Sequence, residues 1–417
     1  MMQHRFLTLI TAVVLGTPAI GQQHFTLSGR IDGLQPGDTL RFERVIHPRW
    51  ELEPAFDIVV KKAGTFRYRG TQEHDQHYLF TYHPKTGEAR RCDRQGMQLI
   101  LTDGDRLQLH GTADQIYYST LTGGLYDDPL LAESLRLEDS LGMIRGNYAY
   151  EAQAAFARKD TAAGRKYEQL FNNFGYTNTS APGFKRSAEA DKAYAEAHPD
   201  GTLYLLLDKL PEITYEPLDQ SRATYESYSP ELKESYYGRL FDQLLRRMEQ
   251  LANGQPAPDF TVISTTGQKL TKADFRGRHL LIYHWGLCPG SRYIDPFVRE
   301  LYDKYHAQGF DVLGVTESIA TIRQVHDNLP TGKKVSMPGV DDMRTALAGM
   351  LQHPWIEIET GTDHPDNKSL MESFFFTGWP FFILIGPDGT IQARGFFDAF
   401  EAAQAVLENQ YGNTSAQ

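Results

Sequence analysis

Residues Arg278–Arg292 read RHLLIYHWGLCPGSR. The run from His279 to Trp285 is short, mostly apolar and bounded by polar or turn residues, which is the pattern of a buried strand. Cys288-Pro289 follows, and proline is favoured at the first position of a helix because it has no N–H to leave unpaired and its φ is preset. The stretch therefore predicts a strand, a short loop and a helix that starts just after Cys288. Working outward, Asp259–Ile263 reads as an earlier strand, Phe310–Val315 as a later one, and Thr321–Asn328 and Asn367–Phe374 as helices with an irregular segment between them. A helix separates the strands near His279 and Phe310, so these two should be parallel. Phe381–Ile385, the turn Gly386-Pro387-Asp388-Gly389 and Ile391–Gly395 predict an antiparallel hairpin, with a last helix from Phe397. This alternation is that of an α/β domain.

The rest of the chain has a different texture. At 417 residues it is too long for one core, and two or three domains are expected. From about residue 22 to 125, seven short β-runs (Phe25–Ser28, Leu40–Ile46, Phe56–Val60, Thr65–Arg69, Tyr78–Tyr82, Met97–Leu101, Arg106–His110) alternate with turns such as Pro36-Gly37-Asp38. They predict a small antiparallel sandwich or barrel. Residues 126–251 carry helical apolar spacing, as in Leu240, Phe241, Leu244, Leu245 and Met248. Gly254-Gln255-Pro256-Ala257-Pro258 then opens the α/β region, residues 252–417. The fold class expected is multidomain: an N-terminal all-β sandwich, a central helical region and a C-terminal α/β domain.

Arg5, the apolar run Phe6–Leu15 and the small residues before Gln22 predict a cleavable export signal over residues 1–21. No cysteine follows the run as an acylation site would require, and no later segment is long and uncharged enough to span a bilayer. A periplasmic location without a transmembrane segment is expected. A net charge of −11 argues against nucleic acid as a partner. Cys92 sits in a polar loop, and its pairing with Cys288 is not expected because the two fall in different domains. A peroxidatic cysteine would carry Ser or Thr three residues earlier, where this chain has Trp285. No histidine spacing reads as a metal site, no Gly-rich loop cradles a phosphate, and neither cofactor nor metal is expected.

Several stretches occur in an order that resembles the TlpA/ResA group of thiol-disulfide oxidoreductases. They are Gln255-Pro256-Ala257-Pro258-Asp259-Phe260, Lys272-Ala273-Asp274-Phe275-Arg276-Gly277-Arg278, the strand into Trp285 and Cys288, Phe310–Val315, and Gly378–Gly389 (GWPFFILIGPDG). The upstream region resembles a β-domain of unknown function that precedes such domains in envelope proteins. The resemblance implies a thioredoxin-like fold and, as partners, protein thiols or disulfides and low-molecular-weight thiols. It places Cys288 at the attacking position of a Cys-x-x-Cys site and Ser291 at the resolving one. Ile294 stands where the family has an acid, with Asp295 beside it. The resemblance also implies that Trp379-Pro380 supplies a cis-proline opposite the cysteine, so that Pro380, Trp379, Trp285 and Pro289 face the substrate. Trp379 either stacks on a ligand or covers the thiol.

A cysteine in the first turn of a helix faces unpaired N–H groups and the positive end of the dipole, which favour its thiolate. With Ser291 in place of a second thiol, Cys288 can accept a mixed disulfide but needs an outside thiol to release it. The expected function is monothiol exchange, trapping or isomerisation; the alternative is a redox-inactive binding or scaffold protein that keeps the fold.

Overall fold

The computed structural model describes residues 22–90, 94–174, 182–214, 216–329, 340–361 and 365–412. The expected signal (residues 1–21) and Cys92 lie outside the described residues. The chain divides into two compact units, residues 1–210 with 227–239, and residues 211–226 with 240–417. The helical region expected at 126–251 is thus shared between the units.

The N-terminal unit holds β1 (Gln23–Asp32), β2 (Thr39–Ile46), β3 (Glu51–Val59), β4 (Thr65–Gln72), β5 (Gln76–His83), β6 (Met97–Leu101), β7 (Arg106–Thr112) and β8 (Thr120–Thr122). They form two four-stranded sheets, in the orders β4-β1-β7-β8 and β3-β2-β5-β6. β1 shows why: Phe25, Leu27, Gly29 and Ile31 alternate inward while their neighbours are more exposed, the period of a half-buried strand. Leu27, Phe42, Phe80 and Leu109 are fully buried in one shared core, each contributing about 1.5–3 kcal/mol of hydrophobic free energy. The sheets depart from the expected all-antiparallel arrangement in one pairing, since β1 and β7 run parallel. The cause is topological: β1 and β7 are separated by β2 to β6, the whole second sheet together with β4, and a long connection permits a parallel return. After the sandwich come α1 (Pro129–Ala157), α2 (Thr161–Asn173), α3 (Pro182–Ala197) and α4 (Leu203–Lys209). Asp128 caps α1, its carboxylate accepting from the N–H groups of Leu130 and Leu131 at 2.8 and 3.1 Å. α5 (Leu218–Ser227), α6 (Pro230–Glu234) and α7 (Tyr236–Gln250) follow.

The C-terminal unit contains β9 (Thr261–Ile263), β10 (Lys269–Thr271), β11 (His279–His284), α8 (Pro289–Tyr305), β12 (Phe310–Thr316), α9 (Ile319–Asn328), α10 (Val340–Met350), β13 (Ile356–Glu359), α11 (Pro365–Phe374), β14 (Phe381–Ile385), β15 (Ile391–Gly395) and α12 (Phe397–Tyr411). Its main sheet has the order β13-β12-β11-β14-β15. β11 is parallel to β12 and antiparallel to β14, and β14 and β15 form the hairpin. Every residue of β11 and β14 is buried, as befits central strands covered on both faces. On one face Leu281, Tyr283, Phe382 and Leu384 pack with Val298 of α8 and Phe400, Ala403 and Leu407 of α12. That packing fixes where α8, and therefore its first residues, sits against the sheet.

Candidate functional site

Cys288 is the N-cap of α8, with extended backbone (φ −63°, ψ 154°) and Pro289 at the first helical position. Ser291 N–H, one of the helix's otherwise unpaired donors, points at the sulfur at 3.2 Å. Ser291 Oγ lies 3.2 Å from the same sulfur and accepts from Gly286 N–H at 3.1 Å. The thiol can donate to this hydroxyl oxygen, and once the sulfur is a thiolate the hydroxyl can donate to it. Cys288 Sγ also lies 3.4 Å from the carbonyl oxygen of Trp379, to which the thiol can donate. A sulfur accepting from Ser291 and donating to Trp379 has a partner in each direction. Ser291 is fully buried, whereas Cys288 is half-buried.

The Trp379–Pro380 peptide is cis and brings that carbonyl over the helix start. Two glycines allow the approach. A Cβ on Gly290 would lie 2.9 Å from Pro380 Cδ, and one on Gly286 would lie 2.9 Å from the Trp379 ring. The indole N–H of Trp379 donates to His284 Nε2 at 2.8 Å, while His284 Nδ1 sits 3.0 Å from the Gly378 carbonyl. This pattern assigns the neutral Nδ1–H tautomer. Burial lowers the His284 pKa to about 4 against the smaller opposing pull of that carbonyl. Trp379 is therefore pinned by a neutral imidazole, with its ring against Gly286 and 43% exposed.

The residues expected to face substrate divide into two groups. Trp379 and Pro289 are exposed at the helix start and Pro380 is buried against Gly290. Trp285 is not on that face. It is 1% exposed and its indole donates to Glu357 Oε2 at 3.0 Å. The correction has a simple reason: Trp285 continues the alternation of Leu281 and Tyr283 into the core.

That indole leads to a buried network the sequence reading missed. His353 Nε2 lies 2.6 Å from Asp295 Oδ1, on α8, and Nδ1 lies 2.6 Å from Glu357 Oε1, on β13. Trp355 Nε1 also donates to Glu357, at 2.7 Å. The His353 side chain is 1% exposed. Burial alone would lower the His353 pKa, but hydrogen bonds to and charges of Asp295 and Glu357 outweigh it, and the net shift is upward. Burial pushes the Glu357 carboxyl up, opposed by the imidazole and the two indoles. Gly314, in the middle of β12, leaves the space the Glu357 carboxyl occupies. Tyr283 Oη joins this network to the reactive turn, donating to the Ser291 carbonyl at 3.3 Å. Among the described residues no three His, Cys, Asp or Glu side chains converge as a metal site; in this network the imidazole stands between the carboxyls and spends both nitrogens on them.

Aromatic side chains surround the helix start. Tyr293 is 66% exposed, and Phe297 and Phe397 are also exposed. Their rings lie 5.6 and 6.3 Å from that of Tyr293.

Residues 253–394 match the profile of the AhpC/TSA family. The thiol-disulfide oxidoreductase ResA of Bacillus thuringiensis subsp. konkukian is 29% identical over 77 residues, 18% of this chain and 44% of the relative. ResA of Geobacillus thermodenitrificans is 33% identical over 66 residues, covering 16% and 38%. The chain thus spans less than half the length of the curated relatives it matches. Among solved structures, the thioredoxin domain of a thiol-disulfide oxidoreductase from Bacteroides vulgatus aligns at 23% identity over 37% of this chain and 98% of its own, with a TM-score of 0.27. A putative thiol:disulfide interchange protein DsbE from Chlorobium tepidum aligns at 19% identity with the same coverage and TM-score. These matches leave the N-terminal sandwich unexplained; what they show is that residues 253–394 are similar to the AhpC/TSA family and part of this region to the ResA thiol-disulfide oxidoreductases.

Proposed function

We propose that the chain is an exported monothiol exchange protein that captures a thiol partner at Cys288 and holds it. Cys288 thiolate attacks one sulfur of a disulfide R–S–S–R′, forming the Cys288–S–S–R bond and expelling R′–S⁻. Ser291 cannot carry out the second displacement, so an external thiolate R″–S⁻ attacks the Cys288 sulfur, expelling R–S⁻ and leaving Cys288–S–S–R″, and a further thiolate R‴–S⁻ then frees the Cys288 thiolate as R″–S–S–R‴ departs. The observation that carries this reading is the placement of Sγ at the N-cap of α8, 3.2 Å from Ser291 N–H. A thiolate there gains charge-assisted hydrogen bonds from groups already aimed at it. The ring of exposed aromatics supports a polypeptide rather than a small polar thiol as the partner, since apolar surface of this size is covered to advantage.

The test is the lifetime of the mixed disulfide. Native protein treated with a disulfide-containing peptide should accumulate a Cys288–peptide adduct that persists after excess peptide is removed. Ser291→Cys should discharge the same adduct on its own, giving an internal disulfide and free peptide thiol. Failure of the native chain to form any adduct would leave the second reading, a redox-inactive docking domain, which the same exposed aromatics favour.

A further inference from the structure

The N-terminal unit has a cleft of about 890 Å³, within the range of small-molecule sites. It arises from topology. β6 ends one sheet and β8 ends the other, and both edge strands line the cleft together with one stripe of α1, Ala132, Leu135, Asp139 and Met143. These positions recur every three or four residues and so share one helix face. Tyr204 and Leu207 of α4 complete the wall.

The charged groups of the lining are engaged with one another. Glu133 accepts from both Nε and Nη2 of Arg136 at 2.7 Å. Glu138 and Asp139 hold Arg94 at 3.2 and 2.5 Å, the Arg94 guanidinium covers the Tyr118 ring, and Asp208 has an interaction of its own. His77 is neutral, because burial lowers its pKa to about 4. An ion entering the cleft would give up its hydration without meeting a free counter-charge, a cost that selects against it.

Two phenols on the lining are placed differently. Tyr126 is 4% exposed, and its Oη accepts from Ile100 N–H at 2.8 Å, which leaves its own proton to donate. Tyr204 makes no hydrogen bond to any described residue. Burial raises the pKa of both hydroxyls, and at Tyr204 the charges of Glu138 and Asp208 add to it, so both are O–H donors at neutral pH. Among the described residues neither proton has an acceptor, and buried donors are seldom left that way. The remaining wall is apolar, with Met97, Leu99, Leu135 and Leu207.

We propose that this cleft binds an uncharged small molecule with an apolar body and a carbonyl oxygen, the body against Met97, Leu99, Leu135 and Leu207 and the oxygen accepting from the Tyr204 and Tyr126 hydroxyls. The site is independent of Cys288 and of any thiol chemistry.

Isothermal titration of the full chain at pH 7 tests it with three probes that share one ring system: 2-acetylnaphthalene, which is neutral and has a carbonyl, 2-naphthoate, an anion, and 1-(2-naphthyl)ethylamine, a cation. The ketone should saturate one site and bind at least about fivefold more tightly than either ion. Tyr204→Phe, which removes one donor and keeps the ring, should weaken ketone binding by about three- to tenfold. Leu135→Trp, which fills the cleft, should abolish it. Far-ultraviolet circular dichroism checks the fold of each variant, and should Leu135→Trp misfold, Ala132→Phe, at an exposed position of the same stripe, takes its place. Binding of either ion as tightly as the ketone, saturation by none of the probes, full ketone affinity in Tyr204→Phe, or unchanged ketone binding in a folded cleft-filled variant would overturn the proposal.

Discussion

In the N-terminal unit two buried imidazoles face each other, His47 Nε2 lying 2.9 Å from His77 Nδ1. In the C-terminal unit His353 lies between the carboxyls of Asp295 and Glu357. Burial lowers the His47 pKa to about 3, with the charge of His77 adding to it, and burial lowers that of His77 to about 4. The same desolvation acts on His353, yet its partners reverse the sign. In the histidine pair one ring donates its N–H to the bare nitrogen of the other and both stay neutral, whereas an imidazole between carboxyls keeps a proton on each nitrogen. The contrast teaches that burial sets only the cost of a charge; the partners decide whether the charge is present. The charged cluster is the one placed under α8, linked through Tyr283 to the turn that holds Cys288.

The largest expected effect comes from removing a carboxyl from the charged cluster. Glu357→Ala leaves the imidazole and two indole N–H groups without their acceptor, and should destabilise the C-terminal unit by about 3–5 kcal/mol. Urea denaturation followed by tryptophan fluorescence reads this, and a loss below about 1 kcal/mol would mean the cluster is no more than a neutral contact. The next test uses pH. His47 and His77 have folded pKa values below the unfolded one, so the unfolded chain binds more protons as pH falls. Their contribution is present above about pH 6.5 and is lost toward pH 4, at up to about 1.4 kcal/mol per pH unit for each histidine. His353 has a raised folded value, so its contribution is present below about pH 6.5 and is lost as pH rises through that value. Ring-carbon NMR titration of the native chain should show His77 still neutral at pH 5.5, where His353 is protonated, and the reverse order would break the comparison. His284, which burial also lowers to about 4, gives a milder check. Trp379→Phe removes the indole donor and should cost about 1 kcal/mol while freeing the ring. The smallest effect is Ser291→Ala, which keeps the backbone N–H on the sulfur and removes only the hydroxyl; thiol alkylation at Cys288 should slow by roughly two- to fivefold, about 0.5–1 kcal/mol.

The sequence made some of this legible. The apolar run before Cys288 and Pro289 after it located β11 and the start of α8, and the Pro-Asp-Gly turn located the β14–β15 hairpin, because those signals are local. The charged cluster was not legible in the same way. Asp295 and His353 are 58 residues apart and meet only through the packing of α8 against the sheet. β13 lay in a stretch read as irregular, although Ile356-Glu357-Ile358-Glu359 alternates at the strand period, a four-residue signal easily passed over. Gly314 was a second clue: a glycine inside an apolar strand indicates close approach by another group, here the Glu357 carboxyl. Trp285 misled because its place beside Cys288 in sequence says nothing about which face of the sheet it takes. The parallel pairing of β1 and β7 was hidden for a related reason, since alternation fixes the buried face of a strand but not its neighbour.

One measurement bears most directly on the thiol. The native full chain and the same chain unfolded in urea are each exposed to oxidised glutathione at pH 7, and adduct formation at Cys288 is timed by mass spectrometry of its tryptic peptide. The sulfur's hydrogen bonds at the mouth of α8 predict that the native protein reacts faster, by about tenfold or more. Reaction at Cys288 no faster in the folded chain than in the unfolded one would contradict the account.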